Sequence, residues 1–160
     1  MAIYYFDSSA IVKRYVDEPG SIWIRQLCEQ NRPGTSERLN LITVGEIALV
    51  EVSAAFGILV RRNLIPKKFS ERVYRKFVDD FRTEYDLAHI TSVVLLNAAN
   101  LAQRYPLKAY DAMQLSLGLQ SNASLKAENL SLTFVSGDDQ LLRAAQAQGL
   151  TIDNPFAHIS

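Results

Sequence analysis

The chain has 160 residues, enough for one domain with a sizeable core, and its 48% hydrophobic content is globular rather than disordered or fibrous. Lys+Arg and Asp+Glu balance at 17 each, so any contact with nucleic acid must come from a local basic patch. One cysteine, Cys28, excludes an internal disulfide and a Cys-rich zinc site, which suits a reducing cytoplasm.

The opening MAIYYFDSSA lacks a basic leader and meets Asp7 after a short apolar run, so it is not read as a signal peptide. Ala2–Phe6 reads instead as a buried parallel strand. Ser8 or Ser9 can cap the helix that follows, through about Val16. Glu18-Pro19-Gly20 breaks it, and Pro19 can start a second helix through about Gln30. Asn31–Arg38 is polar and carries a Pro-Gly turn signal. Leu39–Thr43 reads as a second strand. Gly45–Arg62 reads as a long apolar helix. The stretch Leu41–Val60 is the most membrane-like, but Glu46 and Glu51 interrupt it. A charge at mid-bilayer costs roughly 2.5–3.5 kcal/mol, so no membrane span is expected.

Pro66 opens another helix through about Tyr85, with a charged outer face. Leu87–Ile90 is a strand candidate. Ser92–Arg104 and Lys108–Gln120 read as helices separated by Pro106. Ser121–Leu130 reads as a polar loop. Leu132–Val135 is a β-branched and aromatic strand, followed by a helix from Asp138 to about Gln148. Gly149 stops it, and Leu150–Ile152 makes a last strand. Short apolar strands alternating with helices argue for a parallel sheet covered on both faces. Ligands of such sheets bind beyond the strand carboxyl ends, where Asp7 and Asp138 fall.

Each acid has a structural reading beside a functional one. Asp7 can be a helix cap, but Ser8 and Ser9 could cap equally well. Glu51 sits among Ile47, Ala48, Leu49, Val50, Val52, Ala54, Ala55 and Phe56, so its helix should be buried on nearly every face. A charge there is costly unless it is paired, metal-bound or protonated. Asp111 lies near a helix start, where the dipole favours it by about 0.3–1 kcal/mol. Asp138 and Asp139 both begin a helix, and only one is needed there. These acids have no His or Cys cluster beside them, and such all-oxygen sets suit hard cations, not zinc.

Four segments in order, YFDSSAIVKRYVDEPGS, LVEVSAAFGILVRRNLI, LKAYDAMQLSLGL and TFVSGDDQLLRAAQAQGL, resemble the PIN-domain ribonucleases, most of all the VapC-type toxins of toxin–antitoxin pairs. The resemblance spans nearly the whole chain and implies a single PIN domain over residues 1–160. The implied fold is a three-layer α/β/α arrangement with a mainly parallel sheet of 4–5 strands. It places the family's four acids on Asp7, Glu51, Asp111 and Asp138, as ligands of Mg²⁺ or Mn²⁺. Ser8 and Ser136 match the family's hydroxyl residues, and with Asp139, the spare acid beside Asp138, they are the supporting candidates. Gly45 stands where the family often has a helix-opening Ser.

The activity implied is endoribonuclease cleavage by a metal-activated water, leaving a 5′-phosphate and a 3′-hydroxyl. The partners implied are RNA, a small antitoxin protein and a second copy in a homodimer. A PIN nuclease of RNA processing without an antitoxin, and a non-catalytic PIN binding module, are the competing readings. A haloacid-dehalogenase-type phosphatase would need a second Asp where Ser9 stands. A receiver domain would need a Lys near the last strand, and none follows Lys126. Lys13, Arg14 and Lys108 lie near the acids in sequence and are candidates for phosphate contact. The basic residues around Arg72, Arg75 and Lys76 read as a solvated helix face. His89 reads as structural, His158 as part of the tail, and Cys28 as a small core residue.

Overall fold

The structure, a computed structural model, describes residues 1–159. Strand β1 (Ile3–Phe6) leads into helices α1 (Ser8–Tyr15) and α2 (Ser21–Glu29). Strand β2 (Leu41–Gly45) is followed by α3 (Ala48–Arg61) and α4 (Lys67–Thr83). Strand β3 (Asp86–Ala88) precedes α5 (Ser92–Arg104) and α6 (Ala109–Lys126). Strand β4 (Thr133–Val135), α7 (Asp139–Ala147) and β5 (Thr151–Asp153) follow, and a 3₁₀ turn at Pro155–Ala157 closes the chain.

The five strands form one all-parallel sheet in the order β3-β2-β1-β4-β5. Alternation along the strands separates two cores. Phe6, Ile42, Val44 and Val135 face α1–α4, while Ile3, Tyr5 and Phe134 face α5–α7. The result is three layers, helices on sheet on helices, as the parallel-strand pattern predicts. Among the described residues no helix is long and apolar enough to cross a membrane.

Three expectations are corrected. Ser121–Leu130 is not a loop throughout, because α6 continues to Lys126. Asn122 is buried and its Oδ1 accepts from the Leu132 N–H at 3.0 Å, so a polar residue serves the packed face. Gly45 does not open a helix. It ends β2, and α3 begins at Ala48 with no side-chain cap. Nor is α3 covered all round: Leu49, Val50 and Ile58 are exposed, while Ala48, Val52 and Phe56 hold it to the sheet. Cys28 is buried as expected, and burial pushes its thiol up to about 12.

Candidate functional site

The parallel strands put every carboxyl end on one edge of the sheet. Chain order reverses there between β1 and β4, since β2 and β3 lie on one side and β5 on the other. Such a switch point opens a crevice. Asp7 follows β1 and caps α1, and Asp138 follows β4 and caps α7, so the two acids flank it. Glu51 and Asp111 occupy the first turns of α3 and α6. All four acids thus stand at helix N-termini, where unpaired N–H groups and the dipole favour negative charge.

Asp7 is only 4% exposed. Its Oδ1 accepts from the Ala10 N–H (3.0 Å) and the Ser9 hydroxyl (2.7 Å). Its Oδ2 accepts from the Ser136 hydroxyl (2.5 Å). Burial still wins over these bonds and lifts the Asp7 carboxyl to about 6, with Asp111 adding to the rise. Burial lifts Glu51 to about 7, opposed by hydrogen bonds from Gln114 and Ser8 and reinforced by Asp7 and Asp111. Asp111 is raised by burial and by Asp138, and Lys108 offsets part of this. Asp138 Oδ1 accepts from the Gln140 and Leu141 N–H groups at 2.9 and 3.2 Å.

Among the described residues, none of these four acids has an ion-pair partner within 4.0 Å. The acids feel one another's charge, yet among the described residues no three Asp, Glu, His or Cys side chains form a preformed metal cage. The two observations describe one arrangement, carboxylates near enough to share a field but not gathered into a tight cluster. Oxygen-only donors with unbalanced negative charge fit Mg²⁺ or Mn²⁺.

The supporting residues fall in different places. The Ser136 hydroxyl is fully buried and joins Asp7 to the Asp138 backbone N–H, which it accepts at 3.0 Å. Ser8 Oγ accepts from Gln114 Nε2 at 3.1 Å. Asp139 is exposed and accepts from Asn154 Nδ2 at 3.0 Å, with no hydrogen bond to the other acids. Ser9, noticed in sequence only as a cap, bonds Asp7 and accepts from the Gly137 N–H at 2.9 Å.

Lys13 and Arg14 do not fit the expected phosphate contacts, because both turn inward. Lys13 is 2% exposed, pairs with Glu18 at 3.0 Å and lies 4.2 Å from the centre of the Phe156 ring. Arg14 is 7% exposed, and bonds Glu84 (2.8 Å) and the Tyr85 hydroxyl (2.9 Å) with buried Asp80 at 3.5 Å. Lys108 alone of the three is exposed, one turn from Asp111. His89 is also exposed rather than packed, and pairs with Glu46 at 2.7 Å.

The residues that sequence reasoning missed are Gln114 and Tyr5. Gln114 follows Asp111 by three positions, so both lie on one face of α6; that spacing was the available signal.

The PIN domain family model matches residues 4–147, a span holding all four acids. No curated protein sequence matches the chain. Among solved structures, FitAcB from Neisseria gonorrhoeae superposes with a TM-score of 0.63 at 13% identity, covering 96% of this chain and 98% of that one. VapBC2 from Rickettsia felis, solved bound to a DNA fragment from their promoter, gives 0.59 at 15% identity, covering 95% and 98%. The likeness to both is one of fold; the family match, the parallel sheet and the four acids at its switch point agree, and the chain belongs to the PIN domain family.

Proposed function

We propose that this protein is a divalent-metal-dependent endoribonuclease and the toxin of a VapBC-type toxin–antitoxin pair, working in the cytoplasm. The observation that carries the reading is the set of four carboxylates at four helix N-termini around the switch point, none of them in an ion pair among the described residues.

Asp7, Asp111 and Asp138 would hold Mg²⁺ or Mn²⁺, with Glu51 beside them. A bound ion would supply Lewis acidity, lowering the pKa of a water so that hydroxide is available near neutral pH, and would offset charge on the phosphate oxygens. Ser136 and Ser9 keep the Asp7 carboxylate from rotating. Lys108 stands exposed where it can meet the RNA backbone. A serine nucleophile is not required: Ser136 is fully buried, and Ser8 and Ser9 are engaged in hydrogen bonds of the site.

The toxin assignment draws on the sequence resemblance and the fold likeness to VapBC2. Exposed Val50 and Ile58 on α3, and Val93, Leu95 and Leu96 on α5, support contacts with protein partners, namely an antitoxin and a second copy. Incubation with RNA and Mn²⁺ should give 5′-phosphate and 3′-hydroxyl ends, and EDTA should stop it. Cleavage that persists in EDTA would rule out the metal mechanism. Expression should arrest growth, and co-expression of a small adjacent gene should relieve the arrest; no arrest would rule out the toxin assignment.

A further inference from the structure

Glu51 is restrained by an amide rather than by a cation. Gln114 is 1% exposed and reaches three segments at once. Its Oε1 accepts from the Tyr5 hydroxyl at 2.7 Å. Its Nε2 donates to Glu51 Oε1 at 2.9 Å and to Ser8 Oγ at 3.1 Å. A carboxylate only accepts, so the amide must turn its nitrogen toward Glu51. The Tyr5 hydroxyl, able to donate or accept, then donates to the oxygen at the opposite end and anchors it. Tyr5 itself cannot swing, because it is fully buried and its ring stacks on Phe134 with centroids 5.2 Å apart.

Gly45 at the end of β2 makes room for this relay. A Cβ there would lie 2.7 Å from the Tyr5 hydroxyl and 2.6 Å from Leu117 Cδ1. A glutamine that only filled core volume would not need three polar partners, one of them a carboxylate of the site.

We propose that Gln114 is a positioning residue of the nuclease site, holding the Glu51 carboxylate for the cation while Tyr5 anchors the far end of its amide. The inference rests on the metal-dependent nuclease reading above. Outer-shell partners of metal-holding carboxylates commonly change affinity or activity by about 10–100-fold.

The test compares wild type, Gln114→Met and Tyr5→Phe, each checked for folding by circular dichroism. Mn²⁺ binding is measured by calorimetry without RNA, and kcat and KM are then measured on RNA. Gln114→Met should bind Mn²⁺ about 10–100-fold more weakly and lose kcat to a similar degree, with KM for RNA little changed. Tyr5→Phe should move both in the same direction by less. The double variant should be no worse than Gln114→Met alone, since both act through one amide. Wild-type Mn²⁺ affinity and kcat in folded Gln114→Met would overturn the proposal. Should Gln114→Met fail to fold, wild-type Mn²⁺ affinity in Tyr5→Phe would overturn it. A folded wild type that neither binds Mn²⁺ nor cuts RNA would overturn the nuclease reading, and this inference with it.

Discussion

The Ser136 hydroxyl donates to Asp7 Oδ2 across 129 positions of sequence, and its oxygen accepts from the Asp138 N–H. One buried side chain therefore joins the carboxyl ends of β1 and β4 and sets two acids of the site against each other. Ser136→Ala removes the strongest of the bonds that favour the charged form of Asp7. Cleavage at pH 7 should fall about 10–100-fold, with partial recovery at higher pH or higher Mn²⁺. The stability cost should be about 1 kcal/mol by urea unfolding. A Mn²⁺ titration of cleavage at two pH values checks it.

Without metal, stability should fall as pH rises. Folding raises Asp7 from 3.8 to about 6 and Glu51 from 4.5 to about 7. The folded state thus holds these protons more tightly than the unfolded chain does. Their contribution is fully present below about pH 4 and is lost as pH rises through 6 to 7. For buried Asp7 the effect is on the order of 2–3 kcal/mol. A divalent ion should restore stability, and more so at pH 8 than at pH 5. Melting curves across this range, with Mn²⁺ and with EDTA, give the sign directly.

Arg14→Ala should damage the fold and not RNA binding. It would leave buried Asp80 without its buried guanidinium and break the bonds from α1 to Tyr85 and Glu84. The expected loss is about 3 kcal/mol in urea unfolding. RNA affinity measured below the transition should be unchanged.

Some of this was legible in the residues and some was not. Asp7 and Asp138 could be placed because an apolar strand, an acid and a helix follow one another in local sequence. Both prove to be helix caps as well, so the structural and functional readings of those acids coexist. Glu51 stood out among apolar neighbours, although α3 is less covered than that pattern implied. The continuation of α6 past Gln120 was hidden by its polar composition, which the buried Asn122 bond to Leu132 overrides. The partners of Lys13 and Arg14 lie on a turn, α4 and its C-terminal end, so closeness to Asp7 in sequence misled. Gln114 was missed because Tyr5, Ser8 and Glu51 meet it only after folding.

Lys108→Ala should weaken RNA binding with little effect on the fold, since the side chain is exposed. Losing one phosphate contact should reduce the salt slope of RNA affinity by about 1. Binding measured at several salt concentrations in EDTA checks it. An unchanged slope would remove Lys108 from the interface.

The acids at the switch point should hold the metal that cuts RNA. The most direct measurement is cleavage of single-stranded RNA by wild type and Asp7→Asn, side by side with Mn²⁺. Wild type should cut, and Asp7→Asn should show no more than the EDTA background. The variant should melt no lower than metal-free wild type at pH 7, because it removes a buried charge that burial disfavours. Mn²⁺-dependent cleavage by folded Asp7→Asn at the wild-type rate would contradict the account.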